Sequence, residues 1–297
     1  MTKTTKKMIQ TSKRLAALFC LVLCVAGMVM AQEGGDNAPL TVVFNNLTYN
    51  AGNGKVTAGK VLGAIADALV GQTTQEHENY QEAVRAALVK GMAQSRRVSM
   101  ADGGTAVSAQ WYVDGTVSNI SSTTKVEERK DAKGKTYNQT YYKGLVGVAL
   151  QVKDAQSGQI LLSPTFNVYA EDLSWIETRE GAMNSALARL SAKVTKYFNA
   201  QLPLTAHIIE GARDKKDKQK EVYIDLGTAT KGVGKGIHFG VYTQHVVAGK
   251  TARKLVGKLK LQETMGDDVS LCKVQSGGKE IKAAIDAGQT IAVLSVD

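Results

Sequence analysis

Hydrophobic and polar positions recur along the first two thirds of the chain in patterns that predict an α+β fold. Residues 40–47 are β-rich and mostly apolar, which predicts a buried strand. Residues 61–70 and 80–92 place apolar side chains at helical spacing and predict two helices. The first of these helices is rich in glycine and alanine, so it either packs tightly in the core or faces a partner or a membrane.

The pattern then changes to the alternation that is typical of strands. Apolar residues alternate from Ala109 to Val117 and then change phase, which predicts a bulge near residues 118–119. Turn-forming residues at 131–135 and 156–158 separate further alternating runs, so we expect two long hairpins in an antiparallel sheet. A helical stripe over residues 183–198 closes this part, and Ser174 and Glu177 have the spacing of a capping box before it.

Residues 211–221 (GARDKKDKQKE) form a charged run that predicts a solvated linker or a long exposed turn. Short apolar runs with glycine turns follow, and they predict a small β-barrel or β-sandwich with one helical turn near residues 280–285. The expected organisation is a signal peptide (1–31), an α+β domain (32–205), a charged linker (206–220) and a β-rich domain (221–297). Because exposed linkers are cut first, we expect proteolysis to begin in the linker.

The N-terminal segment has the layout of a secretory signal peptide. Five basic residues and no acidic residue occur in residues 1–31, and an apolar run covers residues 15–30. Residues 29–31 (VMA) fit a cleavage site before Gln32, although an uncleaved anchor is the alternative reading. Phe19 and Leu23 precede the two cysteines of this segment, where a lipobox needs a small residue, so lipidation is not expected. Export to the periplasm is predicted.

Cleavage of the predicted signal peptide would change both the net charge and the number of cysteines of the chain. The chain of 297 residues has a formal charge of +10, but residues 32–210 hold 17 basic and 17 acidic residues. The modest excess in residues 211–297 is interleaved with acids, so the pattern does not support nucleic-acid binding. It does allow a weak attraction to an anionic envelope polymer or a membrane surface. Cys272 is the single cysteine of the predicted mature chain and is expected to be a buried small hydrophobe.

The sequence carries no convincing catalytic or ligand-binding pattern, so we predict no catalytic, cofactor-binding or metal-binding residue. Ser122 and Lys125 have the Ser-x-x-Lys spacing of penicillin-binding enzymes, but they lie in a strand-like run, where residues three apart point to opposite faces. The glycines between 232 and 240 do not form a nucleotide-binding loop. The four histidines lack metal-ligand spacing. We therefore predict a protein that is not an enzyme.

The strands carry a resemblance to a known family. Residues 111–121 (WYVDGTVSNIS) and 141–161 (YYKGLVGVALQVKDAQSGQIL) resemble the periplasmic CsgG-like family. That family includes the curli secretion subunit, the LpoB activators of penicillin-binding proteins and the middle domain of FlgT. Its usual Thr and Glu are replaced by Ser157 and Gln159. Residues 222–227, 236–242 and 285–291 are similar to the small C-terminal β-domain of FlgT-like proteins.

The resemblance implies a non-enzymatic envelope protein that acts by contact, with a CsgG-like sheet and packed helices. We expect a periplasmic accessory, assembly or secretion factor whose partners are envelope proteins or further copies of itself. Peripheral contact with the outer membrane or peptidoglycan is a further expectation. The alternative is a subunit of a CsgG-type outer-membrane channel. Against that alternative, residues 121–144 are polar on both faces of their predicted hairpin, whereas a membrane-spanning strand needs a lipid face.

Overall fold

A computed structural model describes residues 37–49, 74–101, 109–248 and 250–296. The chain folds as an α+β protein, with a mixed sheet covered by helices and a closed six-stranded barrel. This confirms the predicted fold class. The predicted signal peptide and the predicted helix at residues 61–70 lie outside the described residues. Within the described residues, no helix combines the length and apolar character needed to cross a membrane.

The mixed sheet contains six strands in the order β2-β1-β3-β4-β5, with β6 also pairing with β4. β1 runs parallel to β2 and β3, whereas β4 is antiparallel to β3, β5 and β6. The β3–β4 register shifts between Val117 and Asn119, which confirms the predicted bulge. The strands are β1 (Leu40–Tyr49), β2 (Val98–Ala101), β3 (Trp111–Lys130), β4 (Thr136–Asp154), β5 (Ile160–Leu162) and β6 (Thr165–Val168).

Two helices cover one face of this sheet, α1 (Thr74–Ala93) and α2 (Arg179–Gln201). The apolar side chains of β4 that alternate along the sequence all lie in the core, with no more than 1% of their surface exposed: Val146, Val148, Leu150 and Val152. The helices approach closely at Gly91, where a Cβ would lie 2.6 Å from the carbonyl oxygen of Ser191. Glycine therefore sets the spacing of this helix pair.

The start of α2 corrects one expectation. Thr178 is the N-cap residue, and its Oγ1 accepts a hydrogen bond from the backbone N–H of Gly181 at 3.2 Å. The predicted capping box of Ser174 and Glu177 is wrong, because both residues precede the cap. Threonine is one of the residue types preferred at the N-cap, and here the cap lies four residues after Ser174.

The second unit is a closed antiparallel barrel in the order β10-β11-β8-β7-β12-β9, with β9 pairing back to β10. One helix, α3 (Gly278–Asp286), packs against it through the buried Ile281 and Ala284. The barrel has its own core, which includes Phe239, Leu259 and Cys272. Its strands are β7 (Thr205–Lys215), β8 (Lys218–Ile224), β9 (His238–Val247), β10 (Lys250–Thr264), β11 (Ser270–Ser276) and β12 (Ile291–Val296).

The predicted charged linker at residues 206–220 is wrong. Most of it forms β7 and the first part of β8, which pair as a hairpin from Ile208↔Ile224 to Lys215↔Lys218. Charged side chains suit this hairpin because most of β7 is exposed beyond Ala206, while Gln219 is buried and donates to two backbone carbonyls. The barrel therefore starts at β7, and the expectation that proteolysis begins in an unstructured linker no longer has a structural basis.

Direct hydrogen bonds join the two units. Asn37, just before β1, exchanges hydrogen bonds with the backbone of Thr205 at 2.7 and 2.9 Å. Lys231, in the loop before β9, donates to the carbonyl oxygens of Ala93 and Val98. The buried side chain of Asn199 accepts from the backbone N–H of Arg96 at 2.9 Å, which holds the end of α1 against α2 beside this loop.

Candidate functional site

The structure separates Ser122 and Lys125, the residues with catalytic spacing. Ser122 is paired with Gly144 and Lys125 with Tyr141, and the two side chains leave opposite faces of β3. The Lys125 Nζ instead lies 2.5 Å from the Glu127 carboxylate. The hydrogen bond from Lys125 holds the pKa of the Glu127 carboxyl below its ordinary value. This lysine is therefore engaged in a surface ion pair rather than directed at the Ser122 hydroxyl.

In the part of the chain that the structure describes, the remaining reactive side chains do not assemble into a site. Burial raises the pKa of the Cys272 thiol to about 12, so the thiol is protonated at neutral pH and is a poor nucleophile. The ring of His207 contacts Asp225 at 3.1 Å on the exposed barrel wall. Among the described residues, no group of three or more His, Cys, Asp or Glu side chains is placed to hold a metal ion.

The most distinctive surface feature is a two-stranded arm at the end of the β3–β4 hairpin, residues 123–143. Eight cross-strand pairs run from Thr123↔Lys143 to Lys130↔Thr136. At about 3.4 Å per residue, the arm is about 27 Å long. Among the described residues, β1 pairs with β3 only up to Val117, and β6 pairs with β4 only from Val146 onward. The arm therefore extends beyond the rest of the sheet.

One face of the arm is a charged and aromatic network. Glu127 accepts from Lys125 and also pairs with Arg129 at 2.8 Å. The Arg129 guanidinium lies over the ring of Tyr141 at 5.7 Å from its centroid. Tyr137, opposite Arg129, is 46% exposed. Contacts between neighbouring strands of this kind stiffen a ribbon that has no core of its own.

The other face of the arm is mostly uncharged. Val126 is 60% exposed and lies opposite Thr140, with Thr124 and Asn138 on the same face. This face therefore presents an exposed valine beside β-branched threonines on the outside of the arm. Charges return towards the tip, with Glu128 and Lys130.

The tip and the base of the arm are held in place. At the tip, the Asp131 carboxylate accepts from the backbone N–H groups of Lys133 at 2.8 Å and Lys135 at 2.9 Å, and Gly134 has a positive φ of 79°. This confirms the predicted turn. At the base, the backbone of Tyr142 exchanges two hydrogen bonds with Ile176, at 2.7 and 3.0 Å. The arm is therefore held at both ends.

Lys143 adds a second contact at the base. Its Nζ donates to the carbonyl oxygen of Ala170 at 2.7 Å and lies 4.8 Å from the ring centroid of Trp175. Trp175 and Tyr169 remain substantially exposed beside it. Aromatic residues of this kind are enriched at protein interfaces. The sequence predicted a long hairpin with a turn at residues 131–135. It did not indicate that the arm separates from the rest of the sheet.

Comparisons with known proteins give distant structural similarities. No protein-family model and no curated protein sequence matches the chain. Among solved structures, the PelC dodecamer from Paraburkholderia phytofirmans aligns at 12% identity and a TM-score of 0.28, covering 54% of this chain and 90% of that one. A Xanthomonas campestris protein of the DUF330 family aligns at 11% identity and a TM-score of 0.31, and the alignment covers 56% of this chain and 84% of that one. A neuraminyllactose-binding hemagglutinin homologue from Helicobacter pylori aligns at 14% identity and a TM-score of 0.27, and the alignment covers 57% of this chain and 90% of that one. We therefore base the proposed function on the residues of this chain.

Proposed function

We propose that this protein is a non-enzymatic bacterial envelope protein that acts through protein–protein contacts as an assembly, secretion or cell-wall accessory factor. The arm is the observation that carries the proposal. It extends beyond the core that stabilises the rest of the sheet, and its uncharged face exposes Val126. Among the described residues, the strand edges of the arm between Tyr142 and the tip pair with no further strand, and such edges are a ready template for contact with another chain.

Two features of the sequence support the envelope setting. The first 31 residues have the layout of a signal peptide, which directs the chain to the periplasm. The resemblance to the CsgG-like family lies in residues 111–121 and 141–161, which fall mainly in the central strands β3 and β4. We propose that the α+β unit is related to that family and that its partners are envelope proteins or further copies of this chain.

The channel alternative is favoured by the length of the arm and opposed by its side chains. Each of its strands has eight paired residues, close to the roughly 9–11 that a membrane-spanning strand needs. However, Lys125, Glu127 and Arg129 occupy one face and Asn138 and Thr140 the other. Charged side chains facing lipid destabilise a spanning strand. Contact with protein therefore suits the arm better than contact with lipid.

Site-specific photocrosslinking in cells tests the role of the arm. We replace Val126 with a photoreactive amino acid and compare it with the same replacement at Ile160. Ile160 is an exposed apolar residue of similar size that belongs to the strand pairing with the opposite end of β4. The expected result is a discrete adduct from position 126 that is absent at position 160. Equal crosslinking from both positions, or none from the arm, contradicts the proposal.

Two further measurements separate the other functional classes. Ser122→Ala is expected to leave a complementation phenotype unchanged, because the candidate base Lys125 leaves the opposite face of β3. Loss of function in a folded Ser122→Ala protein would indicate an enzyme. A channel subunit is expected to need detergent for extraction and to form rings. Release of the protein without detergent is the result expected of an accessory factor.

A further inference from the structure

One side of the barrel wall combines cations with exposed apolar side chains. Residues 238–262 contain five Lys or Arg residues and no Asp or Glu. Three of these cations project from the outer side of β10. We call the outer side of the neighbouring strands β9 and β10 the basic face, and define it by three cations and two apolar residues: Arg253, Lys258, Lys260, Tyr242 and Leu255.

The strand register places these side chains on one continuous surface. Phe239 and Val241 point into the barrel, so their neighbours His238, Gly240 and Tyr242 point outward. Across β10, Lys260 lies opposite His238, Lys258 opposite Gly240, and Leu255 opposite Tyr242. Side chains directly opposite each other share a face, so the outward residues of β9 and β10 form one outer surface.

The apolar part of the basic face packs over a glycine. A Cβ at Gly240 would lie 2.9 Å from Cε2 of Tyr242 and 3.2 Å from Cδ1 of Leu255. The tyrosine ring and the leucine therefore lie flat along the barrel wall. Leu255 nevertheless stays 50% exposed. This arrangement leaves a shallow apolar surface bordered by lysines.

The cations of this face have no direct counter-charge. Within the described residues, none of the three forms an ion pair. Lys258 lies opposite Gly240 and Ser276, and Lys260 lies opposite His238 and Lys273, so no acidic residue faces either lysine across the sheet. Like charges directly opposite each other, such as Lys260 and Lys273, destabilise a sheet. The nearest acidic residue along β10 is Glu263, which follows these lysines. An anion supplied from outside the protein would neutralise the charge at Lys258 and Lys260.

We propose that the basic face docks the barrel onto the surface of an anionic lipid bilayer. The three cations contact phosphate headgroups, and Leu255 and Tyr242 enter the boundary between headgroups and acyl chains. The apolar residues favour a bilayer over a soluble polyanion, because a hydrated polymer has no apolar phase to receive them. This contact is independent of the arm, which belongs to the other unit.

Vesicle flotation tests this surface. The protein is the chain from Gln32 onward, which contains every residue of both folded units. The probe is a vesicle of 30% phosphatidylglycerol in phosphatidylcholine, compared with pure phosphatidylcholine. We expect binding to the anionic vesicles, weakened by added salt. Each cation near an anionic surface strengthens partition by about fivefold, so Lys258→Glu combined with Lys260→Glu is expected to reduce it at least about 25-fold.

Matched variants make the result specific. Lys133→Glu with Lys135→Glu changes the net charge equally at the exposed tip of the arm, and is expected to bind vesicles like the unchanged protein. Leu255→Ser is expected to weaken binding while leaving the cations in place. Circular dichroism melts confirm that each variant is folded.

Several outcomes would overturn the proposal: equal binding to uncharged vesicles, equal loss in the arm-tip variant, or no effect of Leu255→Ser. Capture of dextran sulfate without vesicle binding would assign the face to a polymer instead. None of these results bears on the crosslinking at Val126, so failure of this proposal is distinguishable from failure of the proposed function.

Discussion

The Lys231 Nζ in the barrel unit donates a hydrogen bond to the carbonyl oxygen of Ala93, the last residue of α1, at 3.0 Å. The same amine also donates to the carbonyl oxygen of Val98 at the start of β2. A cation at a helix C-terminus satisfies carbonyls that have no partner within the helix and interacts favourably with the helix dipole. One side chain of the barrel therefore completes the end of a helix in the other unit.

We expect Lys231→Met to weaken this junction. A hydrogen bond from a charged group contributes about 1.5–3 kcal/mol when well shielded, and partial exposure here reduces the expected loss to about 1 kcal/mol. Urea unfolding, followed by circular dichroism, measures the change. Lys235→Met removes an exposed lysine from the same loop and is expected to stay within about 0.5 kcal/mol. Equal effects of the two substitutions would show that the Ala93 contact contributes nothing.

Val148→Asp is expected to unfold the α+β unit. Val148 is fully buried and lies between β3 and β6 in the sheet. An uncompensated carboxylate in an apolar core costs several kcal/mol. Thr136→Asp places the same group on an exposed position of the same strand, opposite Lys130, and is the matched control. Thermal melts of both variants measure the difference, and a cooperative, near-normal melt for Val148→Asp would contradict this placement of the core.

Two glycines with left-handed backbone conformations differ in their surroundings. Gly277 has a φ of 76°, and a Cβ there would lie 1.9 Å from the carbonyl oxygen of Val256; Gly288 has a φ of 63° and open space around it. Gly288→Ala is expected to cost about 1–2 kcal/mol from backbone strain alone. Gly277→Ala adds a steric overlap of about 1–3 kcal/mol. Denaturant melts of both variants isolate the overlap, and equal losses would argue against the close approach of β10 to Gly277.

Cys272 is expected to be unreactive in the folded protein. Burial raises the pKa of its thiol to about 12, so almost no thiolate exists at pH 8. In the unfolded chain the pKa returns to about 8.5 and the thiol becomes accessible. Titration with a colorimetric disulfide reagent is expected to give a slow reaction in buffer and a fast one in concentrated urea. Because the predicted mature chain has one cysteine, all of the colour released by the reagent comes from Cys272. Rapid reaction in buffer would mean that the barrel core is open.

Local patterns determined the α+β class and many of its elements. The even-numbered apolar residues of β4 predicted its buried face, and the change of phase after Val117 predicted the bulge. Helical spacing predicted the central part of α2, and the residues at 131–135 predicted the turn of the arm. These features depend on side-chain period and turn chemistry, which act over a few residues and can therefore be read directly from the sequence.

Only the tertiary structure decided the course of residues 206–220 and the position of the functional surfaces. In β7, the residues beyond Ala206 are mostly exposed, so no apolar alternation marks the strand; its ladder with β8 and its place between β8 and β12 in a closed barrel hold it. The basic face joins Tyr242 and Leu255 through the pairing of β9 with β10, and β12 pairs with β7 although the two strands lie at opposite ends of this unit's sequence. Pairing between strands brings such residues together, and a local pattern does not contain that information.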